Sequence, residues 1–180
     1  MLELAALLHL PVHDAVSFVL VRPHYPENVG AAARAIKTMG FERLILVKPS
    51  RIAVPEHVMA RKMAVKALDV LDSASRVSEP EQVLSTDCIR FGTTSRRGVS
   101  HVQSPRDAAR SIVELSASSR SVAVLLGNEK TGLDSQHLDR CHHVIRIPMA
   151  ADQPSINLAQ AVQILAYEIF VAALLARKSS

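Results

Sequence analysis

The chain has 180 residues, 48% of them hydrophobic and 21% charged, with a formal net charge of +4. Those values suit one globular domain with a sizeable core and exclude a charge-dominated, unfolded chain. Two widely separated cysteines, Cys88 and Cys141, exclude a disulfide framework and are expected to be reduced, buried thiols of a cytosolic protein.

In chain order, residues 1–14 read as a loosely held extension before a domain spanning 16–180. The first Lys or Arg is Arg22, so no basic leader precedes an apolar run and a secretory signal is not expected. Val16–Val21 has the apolar continuity of a buried strand, and Asn28–Met39 has helical spacing that ends at Gly40. Asn28 suits an N-cap, and Gly30 with Ala31–Ala33 gives a slim helix surface that another backbone can approach. A second strand is read at Arg43–Val47 and a helix at Glu56–Leu68. Cys88–Phe91 reads as a strand leading into Gly92-Thr93-Thr94-Ser95, and Pro105–Leu115 as a helix. Val122–Leu126 is the most apolar strand, and Gly127-Asn128-Glu129-Lys130-Thr131-Gly132 follows it. Strands alternating with helices imply an α/β protein, with a mostly parallel sheet, helices on both faces and ligands beyond the carboxyl ends of the strands.

The stretch from Val144 to Phe170 is the most informative. A strand over Val144–Met149 runs into a polar loop, and Pro154, Ser155 and Asn157 open a long helix. Its start gathers a hydroxyl, an amide and unpaired backbone N–H groups, which suits a polar ligand. From Ser155 to Ala176 the only formal charge is Glu168, so most of the circumference is expected to be covered by protein. Its apolar run at 169–176 is too short to span a bilayer, and Gln160, Gln163 and Glu168 interrupt anything longer.

The basic excess is uneven. Residues 22–66 carry nine Lys or Arg against three acids, which reads either as a solvated surface or as a patch that steers a polyanion. Aromatic residues make up 3% with no Trp, against a stacking platform for single strands and in favour of recognition by shape and backbone. Arg34, nearly two helical turns after Asn28, suits a surface ion pair or a functional role. Glu129 reads as a site residue, a loop cap or an ion-pair partner. Neither a G-x-G-x-x-G nor a P-loop motif occurs. His142 and His143 are neighbours on a strand and face opposite ways, and no metal site is expected.

Three ordered segments carry a resemblance: Asn28-Val-Gly-Ala-Ala-Ala-Arg34, Leu126-Gly-Asn-Glu-Lys-Thr-Gly-Leu133, and Ile147-Pro-Met followed by Pro154-Ser-Ile-Asn-Leu-Ala159. Together they resemble the successive motifs of the SpoU (TrmH) branch of the SPOUT RNA 2′-O-methyltransferases, over roughly residues 16–176. Residues 33–41 and 161–168 are similar to the TrmJ subgroup, which methylates the ribose of tRNA nucleotide 32. The resemblance implies a deep C-terminal trefoil knot that holds S-adenosylmethionine, and an active site completed across a homodimer. It implies cofactor contacts from Thr93, Thr94, Ser95, Gly127, Ile147, Pro154, Ser155, Ile156 and Leu158. Arg34 would be the catalytic arginine, framed by Asn28, Glu129, Ser155 and Asn157, and Arg34, Lys37, Arg43, Lys48 and Arg51 would face RNA. Relatives of this subgroup carry a helical extension that helps bind tRNA, whereas this sequence ends at Ser180. It reads either as a piece of such a protein or as a compact member with another RNA, since wobble-position and rRNA enzymes share the motifs. A non-catalytic RNA-binding module with the same fold is the alternative of a different class.

Overall fold

The computed structural model describes residues 8–150 and 155–179. Seven parallel strands form one sheet in the order β3-β2-β1-β6-β4-β7-β5. The central pair, β1 (Val16–Val21) and β6 (Val122–Leu126), is buried at every position. Both faces of these strands are apolar because both are covered, as a parallel sheet requires. Phe18 and Leu20 align with Val124 and Leu126 and enter the larger core cluster. Val19, one residue along, joins Ala123 and Leu125 in the smaller cluster on the opposite face.

Coverage is unequal. The larger core packs against α1 (Pro11–Ala15), α2 (Pro26–Thr38), α5 (Pro105–Ala117) and α7 (Leu158–Ser179), while α3 (Val58–Ala64) and α4 (Leu68–Asp72) pack on α2. The other face has the four-residue α6 (Ser135–Leu138), with Leu133, Leu84 and Cys141. Both cysteines are free; burial pushes the Cys141 thiol up to about 12, which makes it a poor nucleophile.

Several expectations change. Among residues 8–15, Leu10, Val12 and His13 are buried, so this part is not loosely held. The helix read at 56–68 breaks into α3 and α4, because Val65 adopts φ +54°. The remaining strands are β2 (Leu44–Val47), β3 (Ser75–Val77), β4 (Ile89–Thr93), β5 (Val102–Gln103) and β7 (His143–Ile145). Strand β7 is shorter than expected: Arg146 still donates its N–H to Gln103, but Pro148 has no N–H to continue a ladder.

Helix α2 begins at the carboxyl end of β1 and runs back along the sheet. Tyr25 is its N-cap residue and Pro26 its first residue, so Asn28 lies inside the first turn and is not the cap. A Cβ on Gly30 would lie 1.9 Å from the carbonyl oxygen of Ala60, which confirms the slim surface and identifies α3 as the backbone that approaches it. Gly40, at φ +85°, ends the helix.

Helix α7 starts at Leu158, with the Asn157 side chain accepting from the N–H groups of Ala159 (3.0 Å) and Gln160 (3.3 Å). Leu158, Val162, Leu165, Ile169 and Ala173 form a buried stripe that packs on α2 and α5. On the reverse side, Ile164, Val171 and Leu174 are half-buried, and Leu175 is 59% exposed. By length and composition Leu158–Lys178 could cross a membrane; its buried stripe is that of a core helix.

Candidate active site

A cavity of about 180 Å³ opens where β4, β6 and β7 end. Its walls come from the loops after these strands and from the start of α7. Thr93, Thr94, Ser95, Gly127, Ile147, Ser155, Ile156 and Leu158 all line it, so eight of the nine expected cofactor residues converge. The ninth, Pro154, lies outside the described residues. Leu133, Met149 and Ala161 also line the cavity, and the sequence reading did not single them out. Leu133 and Met149 stand inside the quoted motif segments and Ala161 opens the 161–168 segment, but their apolar types gave no sign of a place in the cavity wall.

Backbone and side-chain bonds hold the walls together. The Thr93 hydroxyl donates to the Leu125 carbonyl at 3.1 Å, and the Thr94 N–H to the Ile145 carbonyl at 3.0 Å. The Arg96 guanidinium donates to the Leu133 carbonyl and the Ser135 hydroxyl, both at 3.1 Å, tying the loop after β4 to the loop after β6. Residues 127–133 fold back on themselves: Asn128 and Gly132 exchange backbone bonds of 3.1 and 2.8 Å. A Cβ on Gly127 would fall 1.8 Å from the Leu133 nitrogen. Gly127 is therefore required by the loop's own closure, before any question of space for a ligand arises.

Beside this cavity, three distant segments meet through polar side chains. The Glu129 carboxylate accepts from the His24 N–H at 2.8 Å, the Tyr25 N–H at 3.2 Å and the Asn28 amide at 2.8 Å. Asn28 is 8% exposed, and its other amide atom, the oxygen, accepts from the Asn157 amide at 3.0 Å. Glu129 thus caps α2 from 101 residues away while orienting Asn28, and Asn28 orients Asn157. A carboxylate at a helix N-terminus is also favoured by the helix dipole. Of the roles left open for Glu129, capping is the one the geometry displays.

Arg34 is exposed on α2, about 9 Å along the axis and about 120° around from Asn28. Its guanidinium makes no hydrogen bond or ion pair with any described residue, and it does not line the cavity. The other basic residues do not form one patch. Lys37 pairs with Asp69 at 2.5 Å toward the far end of α2. Arg43 precedes β2 at the amino end of the sheet, opposite the cavity. Lys48 follows β2 at the cavity end, paired with Glu79, and Arg51 is exposed nearby in sequence. Among the described residues no cluster of His, Cys, Asp or Glu could hold a metal.

Residues 15–167 match the SpoU rRNA Methylase family. The chain belongs to the SpoU methylase family. The tRNA (cytidine/uridine/adenosine-2′-O-)-methyltransferase TrmJ of Pseudomonas aeruginosa is 37% identical over 166 residues, covering 91% of this chain and 63% of that protein. The chain therefore spans less than two thirds of this curated relative. A probable methyltransferase of Bordetella pertussis superimposes with TM-score 0.84 at 35% identity, covering 90% of this chain and 98% of that one. The SpoU methyltransferase AviRb of Streptomyces viridochromogenes, solved with AdoMet, shares the fold at TM-score 0.68 and 22% identity, over 93% of this chain and 62% of that one.

Proposed function

We propose that this chain is the catalytic unit of an S-adenosylmethionine-dependent RNA methyltransferase, which methylates a ribose 2′-hydroxyl in tRNA, at nucleotide 32 of the anticodon loop. The observation that carries the reading is the polar chain Glu129–Asn28–Asn157 at the edge of the strand-end cavity, since it unites all three family motifs at one point.

The cavity suits the cofactor chemically. Leu126, Ile145, Ile147 and Ile156 offer apolar surface for an adenine ring, and Thr93–Ser95 with the 127–132 backbone offer polar groups for ribose and carboxylate. When bound, S-adenosylmethionine supplies a methyl group already activated by its sulfonium. The protein then has to align the 2′-oxygen with that methyl group and take up one proton. Asn28, Asn157 and Ser155 position the ribose. Arg34 holds a phosphate and polarises the 2′-hydroxyl; a guanidinium is too weak an acid to serve as a simple base. In this reading the C-terminal part of the chain is tied into a deep trefoil knot that holds the cofactor.

Arg34 does not line the cavity of its own chain, and one side of α7 is only half-buried by the described residues. A second copy supplies both needs: it buries α7 and brings the two surfaces into one site. Cytosolic residence accords with two free thiols. Radiolabelled methyl transfer from S-adenosylmethionine to unmodified tRNA transcripts, followed by mapping of the methylated nucleotide, tests the reading. Label at nucleotide 32 supports it; label at the wobble nucleotide or in rRNA replaces the substrate. Absence of transfer to any RNA leaves a binding module.

A further inference from the structure

Tyr25 is an unusual N-cap. That position favours a short polar side chain that accepts a helix N–H, yet Tyr25 makes no such bond. Glu129 provides the cap instead, holding the Tyr25 N–H at 3.2 Å, while the Tyr25 carbonyl accepts from the Asn28 N–H at 3.2 Å. The backbone is thus fixed on both sides by the active-site frame, and the ring has no part in fixing it. The ring is 41% exposed, although Phe18, Phe41 and Phe91 are fully buried in this aromatic-poor chain. His24 meets it edge-to-face at 4.7 Å, and Lys130, a cavity-lining residue, places its ammonium 5.7 Å from the ring centroid.

We propose that Tyr25 is the stacking platform for the base of the nucleotide being methylated, which takes the ring face opposite the Lys130 ammonium, while Lys130 is placed to meet the adjoining phosphate. The argument rests on the methyltransferase reading above and adds how the target nucleotide is held. Seating the ribose 2′-oxygen in a recessed site beside the cofactor cavity turns its nucleotide out of the loop stack. A rigidly mounted ring next to the ribose-positioning amides replaces the stacking that the base gives up. Stacking on a π-face also tolerates different bases, so one platform serves cytidine and uridine alike. The low aromatic content argues against a long stacking surface but is no obstacle to a single ring at one point.

The experiment compares wild type, Tyr25→Ala and Tyr25→Phe on two RNAs: an unmodified tRNA transcript, and the same transcript with an abasic ribose at the methylated position. Tyr25→Ala should lower kcat/KM on the intact RNA by roughly tenfold to a hundredfold. Tyr25→Phe should stay near wild type, and calorimetric affinity for S-adenosylmethionine should be unchanged in both. On the abasic RNA the wild type should fall to the level of Tyr25→Ala. An alanine variant as active as wild type on intact RNA overturns the assignment, and so does an equal loss on both RNAs. A changed oligomeric state of Tyr25→Ala by light scattering overturns it too, since the ring would then face protein. If the wild type methylates neither RNA, the tRNA reading falls and takes this assignment with it.

Discussion

Replacing Glu129 by Gln tests whether the active-site frame is also a structural joint. The carboxylate accepts three bonds, one on Oε2 from His24 and two on Oε1 from Tyr25 and Asn28. A Gln amide has one acceptor oxygen, so either orientation sets an NH2 group against a donor and loses at least one bond. The bonds that survive fall from charge-assisted to neutral strength. Three charge-assisted bonds would bring a larger loss in a dry interior, but His24 and Tyr25 keep partial access to water. The expected destabilisation is therefore about 2 kcal/mol. For a chain of this size that lowers Tm by roughly 4–8 °C. Urea unfolding should show a lower midpoint at unchanged slope, and hydrogen exchange at the His24 and Tyr25 amides should accelerate more than in the central strands. A change below about 0.5 kcal/mol, the range of an ordinary surface substitution, would refute the claim that Glu129 joins the loop after β6 to α2.

Arg34→Ala should abolish most methyl transfer while leaving S-adenosylmethionine affinity within a few-fold and stability within about 0.5 kcal/mol, because the exposed side chain makes no hydrogen bond or ion pair with any described residue; near-wild-type activity would exclude Arg34 from the reaction. Gly127→Ala should displace the 127–133 loop and weaken cofactor binding at least tenfold by calorimetry, since even one Cβ meets backbone at 1.8 Å. Burial, followed by the neighbouring His9, holds the His13 pKa below 6.5. Above that pH His13 is neutral folded and unfolded alike; below it the unfolded chain takes up the proton first, so stability drops as pH falls from 6.5 toward the lowered folded value. His13→Phe should therefore flatten the stability difference between pH 7.5 and 5.5 relative to wild type, and an unchanged slope would count against the buried, neutral ring. Light scattering should give a dimer near 39 kDa from the 19.6 kDa chain, with Leu175→Glu shifting it toward monomer; a monomeric wild type at micromolar concentration would contradict the proposed cover for α7.

Strands β1 and β6 were legible to the residue because dense apolar runs, interrupted only by Ser17, end at the polar residues that follow each strand. The short strands β3 and β5 were not: Ser75–Val77 is mostly exposed and Val102–Gln103 has two residues, too little for any period. A single positive φ at Val65 divided a continuous helical pattern, and a β-branched residue gives no warning of such a turn. For the site, most residues expected from motif order line one cavity. What it could not convey was who holds whom. The donors to Glu129 include the main chain of His24 and Tyr25, and backbone N–H groups carry no residue identity. Gly127 was expected to contact the cofactor, but the nearest neighbours of a Cβ there belong to its own loop. The basic tract at 22–66 looked contiguous in sequence, yet α2 and β2 carry Lys37 and Arg43 away from Lys48 and Arg51.

The bond between Asn28 and Asn157 spans 129 positions of the chain. A ribosome delivers Asn28 early, and β1, α2 and β2 can pair locally while synthesis continues. Asn157 and α7 arrive 129 positions later, and until α7 docks on α2 neither the cavity nor the Asn28–Asn157 pair exists. Contacts this remote in sequence form late and slowly. The cavity is thus among the last features of the domain to form, and a nascent chain that stops short of Asn157 lacks one of its walls.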